Sequence, residues 1–331
     1  MSIKNLLVPE YPVDCDITLD PQETWPRSVH RFEADRRAVT ALRAAEACGR
    51  PLLVRGSPGV GKSQLARAAA QEGKRPFVSA VIDSRTQAHD LMWRLDAVRR
   101  LGDAQVLQGG QTLRPESDYI EPQALWWALD WKTAAERTDH YRKAAGLEAA
   151  KRVVPKDWQP DNGRAPVLLL DEIDKADPDL PNALLEVLAN GGFRLPFAGE
   201  AVKADYRRRP LVIITTNEER ELPQAFLRRC LILTLELPKT ENEFVQYMVA
   251  MGLRHQPLWQ GNCLVMEQAA QRLWGRRVEA QRRQDYQPGT AEYLDLVSAL
   301  ANLWPGQAAE QERQLDLLAQ FTFHKTQAAP R

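Results

Sequence analysis

Residues 56–63 read GSPGVGKS and come directly after the apolar residues 51–54, PLLV. The eight residues fit the pattern G-x-x-x-x-G-K-[ST], which forms a phosphate-binding loop when a strand precedes it and a helix follows. Both conditions are predicted here, because the apolar run is typical of a buried strand and residues 64–71, QLARAAAQ, have helical spacing. Backbone N–H groups and the positive end of the helix then form a cup for a polyphosphate.

Each residue of this loop has an expected role. The glycines keep side chains away from the phosphates, Lys62 places a positive charge on them, and the Ser63 hydroxyl is a ligand for Mg²⁺. A glycine-rich turn that merely precedes a helix is the alternative, and the strand before the loop disfavours it. The predicted nucleotide-binding residues of the loop are Gly56, Ser57, Pro58, Gly59, Val60, Gly61, Lys62, Ser63 and Gln64.

A second signal lies in residues 167–174, VLLLDEID. Four apolar residues predict a buried strand, and open α/β sheets bind ligands at the carboxyl ends of such strands. We therefore expect Asp171 to hold Mg²⁺ together with Ser63, and Glu172 to orient and deprotonate the attacking water. The alternative is that the two acids have no catalytic role and only begin the next helix. The phosphate loop upstream makes this the weaker interpretation.

Two further candidates follow another apolar strand, residues 211–214. Asn217 ends the sequence TTN after that strand, where its amide could bind the attacking water or the terminal phosphate. Arg228 and Arg229 precede a last apolar segment, and two adjacent arginines next to a buried strand are expected to meet an anion or an acidic neighbour.

Composition limits the remaining functions. The 331 residues contain 44 Lys and Arg against 44 Asp and Glu, so no net field draws the chain to nucleic acid or to an anionic membrane. No run approaches the ~18 consecutive apolar residues of a spanning helix, and the start lacks the pattern of a signal peptide. The four cysteines are far apart, and we interpret them as reduced, mostly buried residues of a cytoplasmic protein.

Residues 83–164 are longer than a simple crossover between strands requires. Apolar residues at 88, 91, 92, 95, 98 and 101 have helical spacing, and tryptophans follow at 126, 127 and 131. The tryptophans could form a surface for a partner. We favour packing against the core or a neighbouring subunit, since aromatics at helical spacing are usually buried.

With these motifs in hand, the chain resembles an AAA+ ATPase of the MoxR type. GSPGVGKS matches Walker A, LLLDEID Walker B, TTN sensor 1, and ELPQAFLRRC the arginine-finger region. Residues 90–105, 119–129 and 171–196 also resemble MoxR-type sequence. The resemblance implies an α/β fold with a parallel sheet in the order 5-1-4-3-2 between helices, and a helical lid. It implies a nucleotide-binding domain over residues 1–238, with a lead-in and an insertion at about 83–164, and a lid over 239–331.

The same resemblance implies ATP and Mg²⁺ as ligands and a ring, usually a hexamer, with ATP at the seams. Arg229, or else Arg228, would then reach the neighbour's terminal phosphate. Sensor 2 is usually an arginine that begins the third lid helix, but residues 288–294 read PGTAEYL, which puts such an arginine in doubt. Arg282 and Arg283 are substitutes, although a solvated face is the better interpretation.

Three functions remain open. The first is an ATP-hydrolysing chaperone or remodeller of a protein partner, such as a protein with a von Willebrand A domain. The second is an ATP-dependent assembly switch for a separately encoded effector, as in a conflict or defence system. The third and weakest is a motor subunit linked to DNA.

Overall fold

A computed structural model describes residues 9–21, 25–33, 36–107, 112–146, 165–195, 201–205, 209–255, 263–283 and 285–323. The strands are β1 (Asp16–Leu19), β2 (Ser28–Arg31), β3 (Leu52–Arg55), β4 (Phe77–Val81), β5 (Trp93–Leu95), β6 (Ile120–Pro122), β7 (Val167–Asp171), β8 (Gly192–Arg194), β9 (Ala201–Lys203), β10 (Leu211–Thr216) and β11 (Leu231–Thr234). The helices are α1 (Arg37–Cys48), α2 (Lys62–Glu72), α3 (Ala97–Val106), α4 (Ala124–Leu129), α5 (Trp131–Ala145), α6 (Asp179–Asn190), α7 (Gln224–Leu227), α8 (Glu241–His255), α9 (Cys263–Arg283), α10 (Thr290–Leu303) and α11 (Ala308–Phe323).

The described residues group into two compact units. The first draws on Met1–Asp14, Phe32–Arg55 and Leu65–Leu233, and the second on Cys15–Arg31, Gly56–Gln64 and Thr234–Arg331. The domain boundary expected between residues 238 and 239 is not decided by this grouping and stays a prediction.

A five-stranded parallel sheet forms the centre of the first unit. Its strand order is β11-β3-β10-β7-β4, which is the predicted order 5-1-4-3-2 when these five strands are numbered along the chain. Leu52, Leu53 and Val54 in β3 are all fully buried, as expected for a strand covered on both faces. The predicted α/β fold is therefore confirmed.

The register of the sheet aligns the carboxyl ends of its inner strands. Arg55, the last residue of β3, is paired with Thr216 at the end of β10. On the other side, Asp171 ends β7 opposite Val81 of β4. Polar groups that follow β7 and β10 are thereby placed at one edge of the sheet, where parallel α/β sheets bind their ligands.

The predicted helix over residues 88–101 is wrong. A 3₁₀ turn at His89–Leu91 is followed by β5, which pairs with β6, and α3 begins only at Ala97. Pairing between distant segments has overridden the local helical spacing, so two of the apolar positions face solvent. Val98 is 83% exposed and Leu101 is 62% exposed.

Two of the tryptophans predicted to pack in the core do so, at 126 and 127, and Trp131 is partly buried against the same cluster. Trp126 and Trp127 are 2% and 4% exposed and belong to the main apolar cluster of the first unit. The Trp126 indole packs edge-on against Phe193 of β8 at a centroid distance of 5.8 Å, and its N–H donates to the Thr133 hydroxyl at 2.9 Å. These rings fix α4 to the antiparallel pair β8–β9.

The second unit is mainly helical. Helices α8, α9, α10 and α11 enclose a separate apolar cluster, with Phe244, Leu273, Tyr293 and Leu315 all fully buried. The predicted helical lid is thus present. The lead-in contains the antiparallel pair β1–β2. Asp16 in β1 forms ion pairs with Arg31 at 2.7 Å and with Arg254 of α8 at 3.3 Å.

The cysteines are free thiols, but the expectation that most are buried is wrong. Cys15, Cys48 and Cys263 are exposed, because they lie beside the end of a strand or at the end of a helix. Cys230 is buried before β11, and burial raises the pKa of its thiol to about 11.

Candidate functional site

The phosphate loop joins β3 to α2 in the predicted way. The strand ends at Arg55 and the helix begins at Lys62. Lys62 is only 7% exposed, and its ammonium donates to the carbonyl oxygens of Gly56 at 2.7 Å and Ser57 at 3.0 Å. The positive charge is therefore held over the backbone of its own loop.

Three glycines of the loop have backbone conformations that other residues rarely adopt. The φ angles are +149° at Gly56, +77° at Gly59 and +96° at Gly61. A Cβ atom at Gly56 would lie 2.4 Å from the Leu235 carbonyl oxygen, whereas one at Gly61 would meet nothing within 4 Å. The loop thus has the open, side-chain-free concavity that a polyphosphate requires, with a lysine at its base, and its residues fit the expected ligand.

Asp171, the last residue of β7, is held by the neighbouring strand. The Thr215 hydroxyl of β10 donates to Asp171 Oδ1 at 2.5 Å and accepts from the backbone N–H of Glu172 at 2.9 Å. Thr215 is completely buried and Asp171 is 9% exposed. One buried hydroxyl therefore orients both acids that the sequence singled out.

Glu172 leaves the strand through a left-handed conformation, with φ of +62°. Its Oε1 atom lies 3.5 Å from the amide nitrogen of Asn217, and its Oε2 atom accepts from Lys175 at 2.6 Å. The hydrogen bond to Glu172 is the largest of the effects that raise the pKa of Lys175. The structure therefore brings Glu172 and Asn217 together, and adds a lysine that the sequence analysis did not consider.

Asp174 fixes the turn that carries Asn217. Its Oδ2 atom accepts from the backbone N–H groups of Asn217 at 3.1 Å and Glu219 at 3.0 Å, and its side chain is buried. Glu218 lies between those two residues and forms an ion pair with Arg55 at 3.6 Å. This pair ties the end of β10 to the end of β3, the strand that leads into the phosphate loop.

Arg228 and Arg229 lie in the turn between α7 and β11, and both side chains are exposed. Within the described residues neither guanidinium has an ion-pair partner, because both face solvent rather than the buried strand environment we assumed. Their backbone is held instead: Arg50 donates from its Nε atom to the Arg229 carbonyl at 3.0 Å and from Nη2 to the Arg228 carbonyl. Arg50 thus fixes the backbone of the turn, while the side chains of Arg228 and Arg229 stay exposed to solvent.

A family model now accounts for this arrangement of strands, loop and acids. The model of the AAA domain, dynein-related subfamily, matches residues 51–230, which is more than half of the chain. The chain belongs to this family. No curated protein matches the chain. Since AAA domains bind nucleotide and are ATP-driven as a class, the match identifies an ATP-driven AAA protein.

The matched region of this AAA domain begins just before β3 and ends at Cys230, so it contains the loop, both acids, Asn217 and the exposed arginines. AAA proteins commonly form rings. Among the residues that the structure describes, no helix combines the length and the hydropathy needed to cross a bilayer.

Sequence reasoning missed three residues that act on the candidate residues: Thr215, Lys175 and Arg50. Thr215 stands in the motif TTN but was given no role, and Lys175 follows Glu172 by three residues, a spacing that places the two side chains close together in a helical turn. Arg50 is separated from Arg229 by 179 residues, and no sequence pattern connects them.

Proposed function

We propose that this AAA protein is a MoxR-type ATPase that hydrolyses ATP within a ring, usually hexameric in such proteins, and uses the energy to remodel a protein partner. The observation that carries the proposal is the cluster at the ends of β7 and β10: Asp171 held by Thr215, with Glu172 in contact with Asn217. An acid fixed for a metal beside a second acid that an amide orients is what ATP hydrolysis requires. The MoxR assignment rests on the sequence segments quoted above.

Each residue has one role in this proposal. The loop residues 56–64 bind the triphosphate, with Lys62 moving its ammonium from the loop carbonyls to the phosphate oxygens. Ser63 and Asp171 hold Mg²⁺, which neutralises charge on the phosphates when it is bound. Glu172 accepts the proton of the attacking water, whose oxygen bonds to the terminal phosphorus as the bond to the bridging oxygen breaks.

Asn217 and Lys175 set the position of that carboxylate. Both Glu172 oxygens have a nitrogen within hydrogen-bonding range, at 3.5 Å from Asn217 and 2.6 Å from Lys175. Each carboxylate oxygen has two lone pairs, so an attacking water can bind Glu172 beside either contact.

The arginine finger comes from another copy of the chain in this proposal. Arg229 is our first choice and Arg228 the second. The proposal is supported by two exposed guanidinium groups on a turn that Arg50 fixes. An arginine added across a subunit interface contributes ~10³–10⁵ in rate, so assembly would be required for turnover.

In this proposal the partner is a protein, such as one with a von Willebrand A domain, and the chain works in the cytoplasm. An assembly switch for a separate effector is the alternative, and a DNA-linked motor ranks last because the chain has no net positive charge. The contact of Glu172 with Lys175 gives the switch some support, since a base held by a lysine favours slow turnover.

Two variants test the enzyme. Lys62→Ala removes the charge at the base of the loop, and we expect it to abolish binding of a fluorescent ATP analogue. Glu172→Gln keeps the shape of the base but cannot accept a proton, so binding should persist while phosphate release falls by at least ~10²-fold. Nucleotide binding and phosphate release are measured on each purified variant over a range of protein concentrations.

The outcomes separate the alternatives. Turnover that rises with protein concentration and is lost in Glu172→Gln supports the remodeller. Tight ATP-dependent assembly with negligible turnover favours the switch, and retention on DNA at physiological salt favours the motor. Equal binding by wild type and Lys62→Ala would show that the nucleotide site lies elsewhere.

A further inference from the structure

Helix α3 carries its apolar side chains on the outside. One face of the helix, which we call the α3 face, consists of the exposed residues Val98, Leu101, Gly102, Gln105 and Val106. Val98, Leu101 and Val106 are 83%, 62% and 75% exposed, although residues of these types are usually buried. No charged residue lies among the five, in a chain of which 27% is charged.

The charged side chains of α3 contact the rest of the first unit. The Arg99 guanidinium lies over the rings of Tyr119 and Tyr141, at 4.5 Å and 4.9 Å from their centroids. Near the other end of the helix, Asp103 accepts from the Tyr119 hydroxyl at 2.8 Å. An amphipathic surface helix usually buries its apolar face and exposes its charges. Helix α3 does the reverse.

These polar contacts also fix the start of the helix. Asp96 accepts from the backbone N–H of Arg99 at 3.0 Å and from the Tyr141 hydroxyl at 2.9 Å. Arg100 forms an ion pair with Glu116 at 3.0 Å. Since none of the residues of α3 is buried, the helix is held in place by polar and cation–π contacts. Packing within the described part of the chain therefore does not explain the apolar residues of the α3 face.

The size and charge of the α3 face decide what it fits. A helix of 10 residues is about 15 Å long and about 10 Å across, so its outer half offers on the order of 200 Å². A stable interface buries about 800 Å² on each partner, so the α3 face is too small to hold two copies of the chain together by itself. A charged ligand would lose hydration there without meeting an opposite charge.

We propose that the α3 face is a docking surface for a short, uncharged apolar segment of the protein partner. Its small area makes each contact weak and transient, which suits a protein that is bound, changed and released. The inference rests on the proposed function and names the chemistry that the remodelled protein must expose. Several copies in one assembly would strengthen the binding of a long partner through effective concentration.

The test uses an uncharged peptide of leucine, alanine and glutamine, immobilised at high density so that weak contacts add up. Leu101→Glu places a charge in the middle of the α3 face, and we expect the apparent Kd for this surface to rise at least ~10-fold. Because Leu101 is exposed, the melting temperature and the basal ATP turnover should not change. A peptide with glutamate in place of leucine should retain the wild type poorly.

Phe321→Glu is the matched control, because Phe321 is 73% exposed but lies in α11 of the second unit. It should bind the peptide like the wild type. Leu101→Gln removes the apolar side chain without adding a charge and should also weaken binding, so the test does not depend on the folding of Leu101→Glu.

The failures of the two proposals are distinguishable. If Leu101→Glu is retained like the wild type while Glu172→Gln abolishes turnover, the docking surface is refuted and the proposed function stands. If the wild type has no ATP turnover but its retention depends on Leu101, the proposed function fails and the docking surface stands. A change in sedimentation of Leu101→Glu with unchanged retention would assign the α3 face to a contact between copies and overturn this inference.

Discussion

At the scale of single residues, the candidate site depends on groups that orient the acids rather than on the acids alone. Thr215 contacts both Asp171 and the backbone of Glu172, and its hydroxyl is completely buried. Removal of such a hydroxyl leaves a buried carboxylate oxygen and a buried N–H group without this partner. The penalty for unsatisfied groups of this kind exceeds the gain from the hydrogen bonds themselves.

We therefore expect Thr215→Val to reduce both stability and activity. The free energy of unfolding should fall by about 1–3 kcal/mol, and ATP turnover should fall by at least ~10-fold, because Asp171 and Glu172 lose their common anchor. Chemical denaturation and phosphate release measure the two effects. Thr215→Ser keeps the hydroxyl and should recover most of both, so equal loss in the serine variant would contradict the proposed role.

At the scale of elements, the pair β1–β2 is attached to α8 through charged and titratable side chains. His30 in β2 lies near Arg254 of α8. Burial, followed by the positive charge of Arg254, lowers the pKa of His30 from 6.5 to about 4. The imidazole is therefore neutral in the folded protein at neutral pH.

The sign of the resulting pH dependence follows from linkage. Between pH 6.5 and about 4 the unfolded chain binds a proton at His30 that the folded protein does not, so stability falls as the pH is lowered through this range. We expect a loss on the order of 2 kcal/mol from this residue. Thermal unfolding at pH 7 and pH 4.5 measures it.

The variant His30→Gln cannot take up the proton and should show a smaller difference between the two pH values. His89 is the matched control, because its side chain is 48% exposed, and His89→Gln should leave the difference unchanged. An identical pH dependence in wild type and His30→Gln would mean that His30 is accessible to protons in the folded state.

At the scale of the whole molecule, the proposed function requires a second copy of the chain to complete the site. The turn at Arg228 and Arg229 is fixed from behind by Arg50, while both guanidinium groups are exposed. Fixing the backbone of an exposed arginine reduces the entropy lost when the side chain binds a partner. This is the arrangement expected for a residue that acts on another copy.

Mixing two inactive variants tests whether an arginine of one copy acts at the site of another copy. Arg229→Ala should bind ATP normally but lose ~10³-fold or more in turnover, because the finger is absent. Glu172→Gln keeps the finger but lacks the base. If the finger acts between copies, mixtures of the two inactive variants should regain part of the activity, since some interfaces combine an intact base with an intact finger.

Arg228→Ala is the control for the choice between the neighbouring arginines and should retain most of the turnover. If turnover is lost in Arg228→Ala instead, and is regained when that variant is mixed with Glu172→Gln, Arg228 is the arginine finger and Arg229 is not. No recovery in either mixture, together with turnover that is independent of protein concentration, would mean that each copy hydrolyses ATP alone.

The sequence by itself determined the features that depend on neighbouring residues. The run PLLV, the glycines and Lys62 specify strand, loop and helix locally, because conformational freedom and hydrophobic burial are properties of each short segment. The same holds for the strand that ends at Asp171 and for the burial of Trp126 and Trp127. The sheet order came from the resemblance to AAA+ proteins and was confirmed.

Only the tertiary structure decided which distant residues meet. Thr215 and Asp171 are 44 positions apart and meet because β10 and β7 pair in one register, and Arg50 reaches Arg229 because β3 lies beside β11. The helix expected over residues 88–101 failed for the same reason: β5 pairs with a strand 25 residues away from it in sequence, from Leu95 to Ile120. Hydrogen bonds and packing between distant segments have no local signature in a single sequence.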